Sequence, residues 1–147
     1  MADTIRKQIL DSLITHLKGE AWIVTGGVGI NPGKTSYKKV EMPGMSVFVG
    51  PETGDVNTYG KQDCTAEVEL KYLGLVINQM EIAFDVVEDI RGKIIKSAMT
   101  ATLGGLSEKI EYAGGSIDYP TIDDGSFQVS ALINIHYTTK KKDPYNQ

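Results

Sequence analysis

Residues 126–139 alternate with a period of two. Phe127, Val129, Ala131, Ile133, Ile135 and Tyr137 fall on one side, and Gln128, Ser130, Asn134, His136 and Thr138 on the other, with Leu132 the apolar exception. Such a run constrains the fold strongly, because one face of a long strand must enter a core while the other stays wet, and that requires a sheet covered on one side. Residues 63–78 repeat the pattern, with Cys64, Ala66, Val68, Leu70 and Tyr72 set against Thr65, Glu67, Glu69 and Lys71. Past Gly74, the run Leu75, Val76, Ile77 predicts burial on both faces or a bulge at the glycine.

Two stretches of helical period supply the cover. In residues 3–18, Ile5, Ile9, Leu10, Leu13, Ile14 and Leu17 fall within half a helical wheel, with Arg6 and His16 at or inside that arc. Asp3 or Thr4 can cap the start, and Gly19 follows the end, where a left-handed residue is easily accommodated. In residues 79–101, Met80, Ala83, Val87, Ile90, Ile94 and Ala98 recur every three or four positions, and Gly104 and Gly105 stop the helix. Its other side carries Glu81, Asp85, Glu88, Asp89, Lys93 and Lys96, acid before base as the helix dipole favours. The spacing of Asp85, Glu88 and Asp89 is that of a solvated helix face, not of a catalytic or metal-binding carboxylate pair.

The remaining segments read as strands and turns. AWIVTG at 21–26 is short and rich in strand formers, and residues 37–40 and 45–50 read as two strands around a Pro43-Gly44 turn. Residues 51–62 have no apolar period and predict an exposed loop. Strands at 109–112 and 116–119 follow, with Asp123, Asp124 and Gly125 as a turn before the final run. Strands come in groups instead of alternating with helices, so the class is α+β: a mostly antiparallel sheet with two helices on one face, in a single domain over 1–147 whose residues 140–147 form a flexible tail. Two helices cannot cover both faces, so the open face and edges need charges or a neighbouring subunit.

Chemistry is sparse. A net charge of −4 disfavours a general phosphate-backbone binder, and the MADTIRKQ start has no apolar leader stretch, which predicts a protein of the cytoplasm with no membrane partner. The lone Cys64 has no second thiol for a disulfide or zinc cluster and reads as a strand cysteine. His16 and His136 have no predictable catalytic partner, and Asp118, Asp123 and Asp124 lack the twelve-residue ligand spacing of a calcium loop. No cofactor, metal or catalytic residue is expected.

One stretch tempts a nucleotide reading: TGGVGINPGKTS at 25–36 ends in Gly33-Lys34-Thr35. A phosphate-binding loop needs glycine, four residues, then Gly-Lys-Ser/Thr, but Val28 stands where the first glycine belongs. Pro32 removes an N–H from the would-be cradle, and no helical stripe follows Thr35. The stretch reads as a flexible connection between two strands, with Lys34, Lys38 and Lys39 as a surface for a partner protein.

The order of elements resembles the phage tail terminator family, which includes the minor tail protein U of lambdoid phages. The resemblance rests on an N-terminal helix beginning DTIRKQILDSLITHL, a sheet with a long loop, a central helix AFDVVEDIRGKIIKSA and a closing strand running into HYTTKKKDPYNQ. It implies a non-enzymatic virion protein, assembled in the host bacterial cytoplasm. That protein forms a homo-oligomeric ring, a hexamer, on the tail tube protein, stops tube growth and meets the head–tail connector protein. The glycine-rich 26–33 segment matches nothing in that family. From exposure and loop length, the candidate assembly contacts are Pro51, Glu52, Asp55 and Tyr59 in the loop, Lys140, Lys141, Lys142 and Tyr145 in the tail, and Lys34. Another connector or tail-tube subunit would show the same texture, and an enzyme built on the glycine loop is the remote alternative.

Overall fold

Of the two capping candidates in the sequence, Asp3 and Thr4, it is Thr4 that opens the first helix: its backbone is extended and its side chain accepts a hydrogen bond from the Lys7 N–H at 3.1 Å. The computed structural model describes residues 3–56, 60–76, 83–120 and 125–147. Helix α1 (Ile5–Lys18) buries Ile5, Ile9, Leu13 and Leu17, one residue per turn, and half-buries Leu10 and Ile14 beside them. Helix α3 (Ala83–Met99) buries Val87, Ile94 and Ala98; the expected start at 79–82, including Met80, lies outside the described residues.

Between these two helices runs a surprise. AWIVTG is a helix, α2 (Ala21–Gly26), although its residues favour strands. Its end explains why: Gly27 is left-handed at φ 64°, its N–H bonds the Val24 carbonyl, and the Val28 N–H reaches back to the Ile23 carbonyl at 3.0 Å. That is a Schellman closure, available only with a glycine-like residue at this position. Ile23 enters the core, and the Trp22 indole N–H donates to the Ser97 hydroxyl at 2.8 Å, so tertiary contacts override propensity. Gly19, by contrast, stays right-handed at φ −87°.

Among the described residues five strands form one sheet in the order β1-β2-β3-β5-β4. Strand β3 (Lys61–Leu75) and strand β5 (Ser126–Lys140) pair antiparallel in unbroken register from Lys61 opposite Lys140 to Leu75 opposite Ser126. The alternation holds on both: Cys64, Ala66, Val68, Leu70 and Tyr72, with Phe127, Val129, Ala131, Ile133, Ile135 and Tyr137, are all buried on the core side of the sheet. No bulge interrupts this pair at Gly74. A Cβ there would lie 2.8 Å from the Tyr72 ring and 3.0 Å from Phe127, so the glycine makes room for those two rings, 5.8 Å apart.

Strand β2 (Gly44–Val56) pairs antiparallel with β3, and β1 (Gly29–Pro32) runs parallel to the start of β2. Two expectations fail here. The glycine-rich stretch contains an edge strand, and of the expected 51–62 loop residues 51–56 and 61–62 belong to strands, Glu52 to Val56 pairing with Ala66 to Gln62 beyond a bulge at Gly50 and Pro51, while 57–59 lie outside the described residues. The extension carries no apolar period because Pro51, Glu52, Thr53 and Gly54 are exposed, past the cover of the helices.

Residues 37–40 form no strand. Glu41 accepts from the Lys38 N–H and pairs with Lys34, closing a turn of 3-10 helix at Lys39–Glu41. The two short strands expected at 109–112 and 116–119 are one, β4 (Ser107–Asp118), antiparallel to β5 and bulged between Tyr112 and Gly114. Of the expected Asp123-Asp124-Gly125 turn, the two aspartates lie outside the described residues; Gly125 is left-handed at φ 70°. The architecture is therefore α+β, with α3 packed on β5 and β4, and α1 against β1, α2 and α3. Among the described residues no helix is long and apolar enough to cross a membrane.

Candidate functional site

Where β2, β3 and β5 run beyond the helices, the ends of the chain close over their core-side face. The Ile5 N–H donates to the Pro144 carbonyl at 2.9 Å, Lys140 N–H to Asn146 O at 2.8 Å, and Gln147 Nε2 to Leu106 O at 2.8 Å. Residues 140–147, expected to trail as a tail, are thus tied across the start of α1. Between them lies a cleft of about 470 Å³ with Cys64, Tyr137 and Thr139 in its floor. Its rim carries Thr4, Arg6, Glu52, Gln62, Lys140, Lys142 and Asp143.

Arg6 explains its place on the apolar arc of α1. Its Nη2 donates to the Gly50 carbonyl at 2.9 Å, Nη1 stands 4.0 Å from Glu52, and the stem crosses the sheet edge at the bulge. Arg6 Nε is buried without a hydrogen-bond partner among the described residues. The Cys64 thiol is pushed up by burial and then by the nearby Glu52 charge, which keeps it protonated and a poor nucleophile. A rim of three cations and two carboxylates over an uncharged floor suits recognition of a charged surface.

Asp143 organises the terminal turn. Its carboxylate accepts from Asn146 Nδ2 at 2.8 Å and from the Tyr145 N–H at 3.1 Å, and these bonds hold its pKa below the ordinary aspartate value. A depressed folded pKa means that the turn's contribution is complete above the unfolded pKa and is lost as pH falls through the folded one. Amide exchange at Tyr145, followed by NMR, is therefore expected to accelerate, relative to exposed amides elsewhere, below the usual carboxylate range. Asp143→Asn should remove that pH dependence; equal acceleration in both proteins would exclude the assignment.

Of the predicted contacts, Glu52, Lys140 and Lys142 meet at this one cleft. Pro51 is exposed at the adjacent bulge, Lys141 donates its backbone N–H to Gly60 O at 3.3 Å, and Tyr145 is exposed in the terminal turn. The backbone of Asp55 pairs with Asp63, while Tyr59 lies outside the described residues. Lys34 does not line the cleft: it pairs with Glu41 and lies 4.8 Å over the Tyr37 ring, and no α-helix opens at Thr35. Arg6, Gln62, Tyr137 and Asp143 were not among the predicted contacts; a cation inside the apolar arc of α1 was the one visible signal for Arg6.

Both histidines serve packing. His16 Nε2 lies 2.9 Å from the Ser97 carbonyl and 3.1 Å from Glu20 Oε1, two acceptors that require the proton on that nitrogen, and Ser97 thereby links α1, α2 and α3. On the outer sheet face His136 Nδ1 is 3.0 Å from Thr65 Oγ1, and Nε2 is 3.6 Å from Glu111, which also pairs with Lys109. Among the described residues no group of three or more His, Cys, Asp and Glu side chains could hold a metal ion.

No protein-family model matches the chain, and no curated protein matches it. Among solved structures, the chain is similar to one from the virion of a native gene transfer agent (GTA) particle, at 9% identity over 86% of this chain and 91% of that one, with a TM-score of 0.46. A likeness that distant is recorded as similarity of outline only.

Proposed function

We propose that the chain is a structural tail protein of a phage or prophage: a terminator that closes into a ring on the end of the tail tube, stops its growth and offers a surface to the head connector. The reading makes it a virion component and not an enzyme. One observation carries it beyond element order. Glu52, Lys140 and Lys142, assembly contacts chosen from separate segments of the sequence, converge on one charged cleft at the open end of the sheet. Charged rims of this kind set partner and register in assemblies, and a ring subunit needs such a surface on each copy.

Mixing the purified chain with tube subunits tests the proposal. Electron microscopy should show tubes of arrested length carrying a cap, and native mass spectrometry a discrete oligomer of six subunits. Unchanged tube growth with no bound chain would end the terminator reading, and open-ended filaments of the chain alone would replace it with a tube subunit.

A further inference from the structure

In a chain of net charge −4, the cleft rim carries a small excess of cations, with Arg6, Lys140 and Lys142 set against Glu52 and Asp143. Lys61 and Lys140 stand directly opposite each other in the β3–β5 register, Lys141 and Lys142 follow, and Arg6 reaches in from α1. The lysines are also held in a defined turn. Lys142 is left-handed at φ 62°, an uncommon conformation for a residue with a Cβ, and the Asp143 N–H closes onto the Lys140 carbonyl at 3.0 Å.

That cationic excess sits in a chain that is acidic as a whole, so a second copy of the chain is itself a complementary partner. The start of α3 has the right chemistry to meet the cleft. Phe84 is 57% exposed, unlike Phe127 in the core, and Asp85 beside it makes no ion pair among the described residues. Glu88 and Asp89 are already matched within the helix, by Arg91 at 3.7 Å and Lys93 at 2.9 Å. A phenyl ring without a polar handle gains most from leaving water, and the cleft offers it the Tyr137 and Cys64 floor.

We propose that the cleft of one copy receives the start of α3 from a second, with Phe84 entering the cleft and Asp85 pairing with the lysines. This rests on the assembly reading above and names the two surfaces. They are different patches of one chain, so the contact repeats head to tail and closes only if the rotation between copies allows.

Sedimentation velocity of the full chain over a range of salt tests it. Association should weaken as salt rises, because the pairs are at a wet rim. Lys142→Glu and Asp85→Lys should each weaken association about tenfold, and the two together should recover most of the loss. Phe84→Ser should weaken it at every salt concentration. Thermal melts matching the parent protein establish that each variant folds. The contact is overturned if the paired charge reversal does no better than the sum of the single ones, if Phe84→Ser associates like the parent, or if the parent stays monomeric throughout. It is also overturned if Lys142→Glu instead abolishes binding of labelled duplex DNA while leaving self-association intact. Tube capping by the same variants separates the two readings: normal capping with no effect on self-association removes this contact and leaves the terminator proposal standing.

Discussion

Gly115→Ala is expected to destabilise the protein by about 3 kcal/mol or more, the upper end of what overpacking costs. A Cβ at this position would lie 1.9 Å from the Ser130 carbonyl oxygen and 3.2 Å from the Ala131 Cα, and both are backbone atoms of the strand paired with it. Neither can rotate away, so β4 must lift from β5 just beyond the bulge. Gly114, with φ at +107°, already directs the chain there, and the bulge leaves no second register to slip into. Urea denaturation should show the lower midpoint, and hydrogen exchange should localise the loosening to the β4 amides. A loss under about 0.5 kcal/mol, the range of ordinary surface substitutions, would show that β4 shifts without cost. Gly92→Ala is the matched control. It lies inside α3 with nothing within 4 Å of the added carbon, so the same chemical change should stabilise by about 0.5–1 kcal/mol.

That contrast marks what sequence alone conveys. Periodicity is a property of burial, so the elements that cross the core were visible: the stripe Ile5, Ile9, Leu13, Leu17 and the alternation on β3 and β5 reappear as buried faces. Elements outside the helix cover lose that signal. Glu52, Thr53 and Gly54 are exposed strand residues, and their composition is that of a loop because no core selects it. Short segments fail for another reason. In Ala21–Gly26 the Gly27 closure and the Trp22–Ser97 bond outweigh the strand preference of Trp22, Ile23, Val24 and Thr25, and only Gly26-Gly27-Val28 hints at it. The candidate site was half legible. Glu52, Lys140 and Lys142 stood out as charged residues in aperiodic segments, but their convergence depends on the β2–β3–β5 register and on a terminal turn fixed by Asp143. Neither can be read from one chain's spacing.

Leu13→Ala should cost about 3 kcal/mol, within the range for truncating a fully buried leucine whose surroundings collapse only in part. Leu13 is inaccessible to solvent at the middle of the α1 stripe, so the cavity falls between the helix and the core it covers. The same helix places Arg6 over the Gly50 carbonyl and offers the Ile5 N–H to Pro144. Loosening α1 therefore removes one wall of the cleft and releases the terminal turn. Two kinds of failure become separable by differential scanning calorimetry and tube capping on the same samples. Leu13→Ala should lower the melting temperature by several degrees yet cap tubes normally well below it, because the cleft is intact while α1 remains docked. Lys142→Glu should melt with the parent and cap poorly at every temperature. If Leu13→Ala fails to cap in the cold while fully folded, the surface that meets the partner is α1 itself and not the cleft that α1 helps to form.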